Sequence, residues 1–122
     1  MATISNIYLD QGADYSSTIT LTGSNNTPLD LSDYEVDSQM RKSYSSSQYY
    51  TFTCTVIDAL EGKIRMQMPA ATSENIKPGR WLYDIEITHP SAGRKRVVEG
   101  VVIVTPQITR VVVDEGDEVY PS

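Results

Sequence analysis

The stretch Ile76-Lys77-Pro78-Gly79-Arg80-Trp81-Leu82-Tyr83-Asp84-Ile85-Glu86-Ile87 (IKPGRWLYDIEI) holds the one tryptophan of the chain. Its phase decides the fold. Trp81, Tyr83, Ile85 and Ile87 alternate with Leu82, Asp84 and Glu86, the period-two pattern of a strand. An unpaired carboxylate is costly to bury, so Asp84 and Glu86 mark the wet face. The four apolar side chains then form the structural core of a sheet rather than a ligand platform. Burying aromatics and isoleucines of this size contributes several kcal/mol, roughly 1.5–3 for each large side chain.

The same alternation runs through the rest of the chain. Tyr15, Ser17, Ile19 and Leu21 oppose Ser16, Thr18, Thr20 and Thr22. Tyr34, Val36, Ser38 and Met40 oppose Glu35, Asp37, Gln39 and Arg41. Phe52, Cys54 and Val56 oppose a threonine row, and Ile64, Met66 and Met68 oppose Lys63, Arg65 and Gln67. One dry face and one wet face per strand is the habit of antiparallel sheets. Turn compositions separate the runs: GSNNTP at 23–28, SYSSSQ at 43–48, DALEG at 58–62 and HPSAG at 89–93. The pattern predicts strands over about 4–10, 14–22, 34–41, 50–57, 63–68, 80–88 and 94–105. PAATSEN (69–75) is the one helical candidate, a turn or two that starts at a proline and stops before Pro78-Gly79. Seven short alternating strands predict an all-β, immunoglobulin-like antiparallel sandwich.

The chain has 122 residues, which fits one domain with a single core. The expected organisation is a β-sandwich over 1–110, followed by a valine-rich extension and an acidic, disordered tail over 111–122. Of the 16 acidic side chains, Asp114, Glu115, Asp117 and Glu118 fall in the last nine residues. The body is therefore nearly balanced against its 10 basic residues, and neither part invites nucleic acid or an anionic membrane. No run of 18 apolar residues and no secretory leader is visible. The lone Cys54 has no intramolecular partner, as suits a reducing cytoplasm.

Catalysis at neutral pH requires a tuned acid, base or nucleophile beside a partner. The single histidine, His89, sits in a hairpin turn, and Cys54 lies in phase with Phe52 and Val56 as a buried small hydrophobe. Asp10 with Asp14, and Asp30 with Asp33, lack the spacing of a calcium loop. No catalytic residue, cofactor, metal site or small-molecule substrate is assigned, and the chain reads as a non-enzyme. Arg94, Lys95 and Arg96 read as a solvated hairpin or a salt-bridging contact to another subunit, ahead of a phosphate site. Two segments remain as candidate interfaces. Tyr44, Tyr49 and Tyr50 in and after SYSSSQYY combine the tyrosine and serine of adaptable contact surfaces. Val111, Val112 and Val113 either extend an edge strand or add to a neighbour's sheet.

The turn IKPG is similar to the Leu-x-Pro-Gly turn of fibronectin-type sandwiches, in which a following tyrosine bonds back to the turn, although that tyrosine's position here falls on Leu82. A wider resemblance rests on four blocks: ISNIYLDQGADYSSTITLT, TPLDLSDYEVDSQMRKSY, AATSENIKPGRWLYDIEI and RVVEGVVIVTPQITR. Together they resemble small virion structural proteins of tailed phages, especially T4-like myoviruses, and the N-terminal immunoglobulin-like domain of phage baseplate upper proteins. The resemblance spans about residues 4–110, and its motifs are signatures of turns and strands. It implies a sandwich that acts in a virion, at the tail or baseplate, through contacts with other virion proteins or itself, made in the host cytoplasm and without a cofactor. Baseplate upper proteins continue into a further domain where this chain turns acidic, so the expectation is a small decorating or tail-associated subunit. A carbohydrate- or host-surface-binding module, with Tyr44, Tyr49 and Tyr50 stacking on sugar rings, is the alternative.

Overall fold

The computed structural model describes residues 3–23 and 27–108. Val111, Val112, Val113 and the acidic tail lie outside the described residues. The elements in order are β1 (Thr3–Ile4), β2 (Ile7–Asp10), β3 (Tyr15–Thr20), β4 (Glu35–Arg41), β5 (Tyr49–Asp58), β6 (Lys63–Met68), α1 (Ala70–Ser73), β7 (Gly79–His89) and β8 (Gly93–Thr105). Each predicted strand is present, and the short helix falls inside PAATSEN. The first strand is broken in two at Ser5-Asn6.

The strands form a curled sheet in the order β1-β8-β7-β4-β5-β6-β3, with β2 also on β8. The curl is made by β5. Tyr49 to Phe52 pair with β4, whereas Thr53 to Asp58 pair with β6, so one strand belongs to both layers. One layer is β1/β2-β8-β7-β4 with the start of β5; the other is the rest of β5 with β6 and β3. This is the immunoglobulin-like arrangement, with the first strand placed on the last. That placement supplies the parallel pairings among the described residues: β1 and β2 both run parallel to β8.

The core fills the space between the layers. Trp81, Tyr83, Ile85 and Ile87 are all buried, as are Met40, Phe52, Ile64, Met66, Met68, Val98, Val102 and Val104. Phe52, where β5 changes layer, joins them through edge-on contacts to Tyr15 at 5.8 Å and Tyr83 at 6.3 Å. Two buried polar tips tie the core to the backbone. Trp81 Nε1 donates to the Lys77 carbonyl at 2.9 Å, so the indole makes the bond back to the IKPG turn that a corner tyrosine makes elsewhere. Tyr83 Oη reaches much further in sequence and donates to the Ser5 carbonyl at 2.6 Å. Gly100 stands opposite Tyr83, and a Cβ there would lie 2.0 Å from the same Ser5 oxygen. The break between β1 and β2 thus dips into space that only a glycine leaves free. Ser5 N–H donates to the Glu99 carbonyl, and Asn6 Oδ1 accepts from Val101 N–H, so backbone groups around the dip are paired.

The turn motifs are used in the same way. In Gln11-Gly12-Ala13-Asp14, Gln11 Nε2 donates to the Ile76 carbonyl and its Oε1 accepts from Gln107 N–H, both at 3.0 Å. Gly12 N–H donates to Ser73 Oγ, which donates to the Ala13 carbonyl. Asp14 accepts from Ala70 N–H at 2.7 Å at the first residue of α1. In Leu29-Asp30-Leu31-Ser32, Asp30 Oδ1 accepts from both Ser32 Oγ and Ser32 N–H, which lowers the Asp30 pKa. The first motif ties distant segments together, and the second closes a local turn.

Tyr83→Phe removes one hydrogen bond that ties the first strand to the core, and we expect a loss of about 1 kcal/mol in urea unfolding. Gly100→Ala pushes against a backbone oxygen, for an expected loss of about 1–3 kcal/mol. Hydrogen exchange at Ile7 to Asp10 should accelerate in both variants. Exchange in β6 that rises equally would mean that the tie is not local to the first strand.

Candidate interaction face

The outer face of the β8-β7-β4 layer carries the side chains left after the core is filled. Its charges fall into a ladder. Arg94 pairs with Glu86 at 2.7 Å and with Asp37 at 3.3 Å; Arg96 pairs with Asp84 at 3.1 Å and with Glu99 at 3.3 Å. The pairing depends on a β-bulge. Ile85 stands opposite Val98 but Glu86 opposite Arg96, so Val97 is the extra residue. Without it Arg94 and Arg96 would share the inward parity of Val98, Val102 and Val104. The bulge turns the arm over and delivers both guanidinium groups to the carboxylates. Arg94 and Arg96 therefore make their ion pairs within their own sheet. Partial burial raises the Asp84 pKa, with the neighbouring Glu86 adding to the rise; Arg96 opposes it, and its own pKa is raised by Asp84.

Beside the ladder lies a cleft of about 430 Å³. Leu82 and Val101, cross-strand partners on β7 and β8, contribute its apolar lining. Ile4 and Tyr44 also line it and are among the most exposed apolar residues, at 75% and 80%. Arg41, Gln39 and the Asp84–Arg96–Glu99 group supply its polar side. Past the cleft the apolar surface continues through Ile103 and its neighbour on β2, Tyr8, which is 71% exposed.

The three loop tyrosines separate. Tyr44 is exposed in the cleft. Tyr49 is half-exposed with the Arg41 guanidinium 4.7 Å from its ring centre, while Arg41 also donates to the Ser46 carbonyl at 2.7 Å and shapes the loop. Tyr50 faces the other way, with its ring against Trp81 at 5.7 Å and its hydroxyl on the Asn75 carbonyl. Only Tyr44 of the three lines the cleft. Sequence reasoning missed Ile4, Tyr8, Leu82, Val101 and Ile103. The signal for Val101 and Ile103 is in GVVIVT, where consecutive apolar residues make both faces of β8 apolar.

The other candidate groups have structural partners. His89 Nδ1 accepts from Ser91 N–H and Ala92 N–H and caps its own hairpin, with its ring against Tyr34. Asp10 accepts from Thr105 Oγ1 at 2.8 Å, and Asp14 and Asp30 are engaged as described above. Among the described residues, no group of three or more His, Cys, Asp or Glu is placed to hold a metal ion. No helix among them is long and apolar enough to cross a membrane.

No known protein family and no curated protein matches this chain. Three solved structures align with it at low similarity. An internalin-like protein of Listeria monocytogenes aligns with 85% of the chain at 15% identity and a TM-score of 0.43. AggA, the major subunit of aggregative adherence fimbriae type I from Escherichia coli, aligns with 85% at 10% identity and 0.39, over 91% of its own length. A family 123 glycoside hydrolase from Clostridium perfringens aligns with 86% at 12% identity and 0.40. The chain spans 28% of the internalin-like protein and 23% of the hydrolase.

Cys54 tests the packing behind this face. Burial raises its thiol pKa to about 11 from 9.0, with Asp37 adding to the effect. At pH 8 the thiolate fraction should be about 100-fold lower than in the unfolded chain. Thiol labelling of native and urea-unfolded protein should show a difference of that order; equal rates would mean that the strand opens freely.

Proposed function

We propose that this protein is a non-enzymatic structural or assembly module of a tailed-phage particle, associated with the tail or baseplate. The observation that carries this reading is the end of β8, where Val101 and Ile103 face outward beside Ile4, Tyr8, Leu82 and Tyr44. A strand apolar on both faces suits a sheet whose outer side is also covered. The flanking ion pairs would orient a partner more than hold it, since exposed pairs contribute about 0–1 kcal/mol each. The resemblance to phage virion proteins supplies the setting, and its motifs serve the fold, leaving the outer face to the partner. A carbohydrate platform is less favoured, because stacking requires open ring faces and Tyr50 is committed to Trp81 and Asn75.

The test is to purify the particles of the phage that encodes the chain and quantify the protein by mass spectrometry. We expect a fixed copy number per particle. Leu82→Asp with Tyr44→Asp, both on the outer face, should lower incorporation at least tenfold while unfolding stays within about 1 kcal/mol of the native chain. A chain missing from particles, or incorporated equally with both aspartates, would sink the proposal.

A further inference from the structure

We propose that β3 is a self-pairing edge, and that two copies of this chain join β3 to β3 antiparallel around a two-fold axis at Ser17. The inference rests on three features of that strand. Among the described residues its free side follows from the topology: β3 ends the strand order, because β1 and β2 are committed to β8. It carries none of the usual edge protection. Tyr15 to Thr20 contains no charge, proline or glycine, and its six-residue register on β6 runs without a bulge. The other edge differs, being broken at Ser5-Asn6 and ending on Asp10. Finally, Tyr15, Ser17 and Ile19 point inward but are only half-buried, whereas Ile64, Met66 and Met68 beside them on β6 are at most 1% exposed. The core is uncovered along this flank.

The hydrogen-bonding pattern fixes how a second copy fits. Leu21 N–H donates to the Gly62 carbonyl at 2.8 Å, which continues the register of Ile19 with Ile64. Odd-numbered residues of β3 therefore direct their backbone groups to β6, and Ser16, Thr18 and Thr20 direct theirs to the free side. With the axis at Ser17, Ser16 of one copy exchanges both backbone bonds with Thr18 of the other. Ser17 then meets its own copy in a non-hydrogen-bonded pair. Tyr15 lies across from Ile19, so each half-buried apolar side chain covers its counterpart. The arrangement places no like charges opposite one another. Arg65, beside Thr18, lies in line with Gln67 of the second copy, which flanks Ser16. The nearest acid, Asp14, is already bonded to Ala70 N–H. An isologous pair of this kind is self-complementary and closed. It also goes beyond the virion reading, since it requires no phage component.

The test is light scattering and sedimentation of the full chain over a range of concentration, with a chain ending at Ile108 and two edge variants. We expect a concentration-dependent dimer, kept in the shortened chain. Thr18→Pro and Thr18→Lys should each weaken it at least tenfold, because Pro removes a donor that β6 does not use and Lys charges the edge. The circular dichroism of both should remain that of the native chain. In a Cys54→Ser background, Ser17→Cys should form an intermolecular disulfide under mild oxidation, since non-hydrogen-bonded pairs bring Cα atoms to about 4.5 Å. Thr20→Cys should not. A monomer at all concentrations overturns the proposal, as does a dimer that persists in folded Thr18→Lys. Dimerisation lost on shortening to Ile108 also overturns it and assigns the contact to the C-terminal residues. Absence from phage particles with the dimer intact would refute only the virion reading.

Discussion

The structure depends on one close approach. The carbonyl of Ser5 rests where Gly100 lacks a side chain, and Tyr83 reaches out of the core to donate to it. Seventy-eight residues separate the two ends of that bond, so it forms only when the first strand is already beside the last. The consequences spread through the fold. With β1 and β2 held parallel to β8, the chain must cross to the other layer at Gln11 to Asp14. That crossing is where the hydrogen bonds to Ile76, Ser73, Ala70 and Gln107 converge. Among the described residues, the far layer is then left with β3 as its last strand.

This economy explains how the turn motifs of the chain serve the fold. A carboxylate engaged at the first residue of a short helix, a carboxamide bridging two backbone groups and an imidazole nitrogen accepting from its own turn all bind backbone groups. The His89 bonds are local to their turn, whereas those of Gln11 and Asp14 reach 56 to 96 residues along the chain. The outer face is made differently. On the outer face, single residues from β1, the β4–β5 loop, β7 and β8 come together from positions as far apart as Ile4 and Val101.

The bulge at Val97 shows how one residue changes the character of a face. It reverses the parity of the arm that bears Arg94 and Arg96, and thereby converts a basic run into two sets of ion pairs with Asp37, Glu86, Asp84 and Glu99. Beyond the bulge the same strand shows Val101 and Ile103 to the outside. One strand therefore offers both a polar and an apolar region to whatever covers the sheet. Exposed ion pairs of this kind contribute little stability, so the two regions differ in chemistry more than in their hold on the fold.

Much of the fold was legible in the sequence. Alternation placed the strands and the inward row of Trp81, Tyr83, Ile85 and Ile87, and the proline and glycine turns placed their ends. These are local properties, set by the period of a strand and the dihedral preferences of a few residues. Three things required the tertiary structure. The parallel pairing of the first strand with the last follows from Gly100 and Tyr83, whose meaning is visible only once Ser5 lies over them. The bulge has no local signature in RKRVVEG. The cleft brings together side chains that are distant in sequence, and the loop tyrosines separate because Tyr50 is drawn inward by Trp81 while Tyr44 is not. The sequence by itself determined which residues are dry within each strand. Only the packing of the layers decided which face and which edge remain open, because that depends on where each strand finds its neighbour.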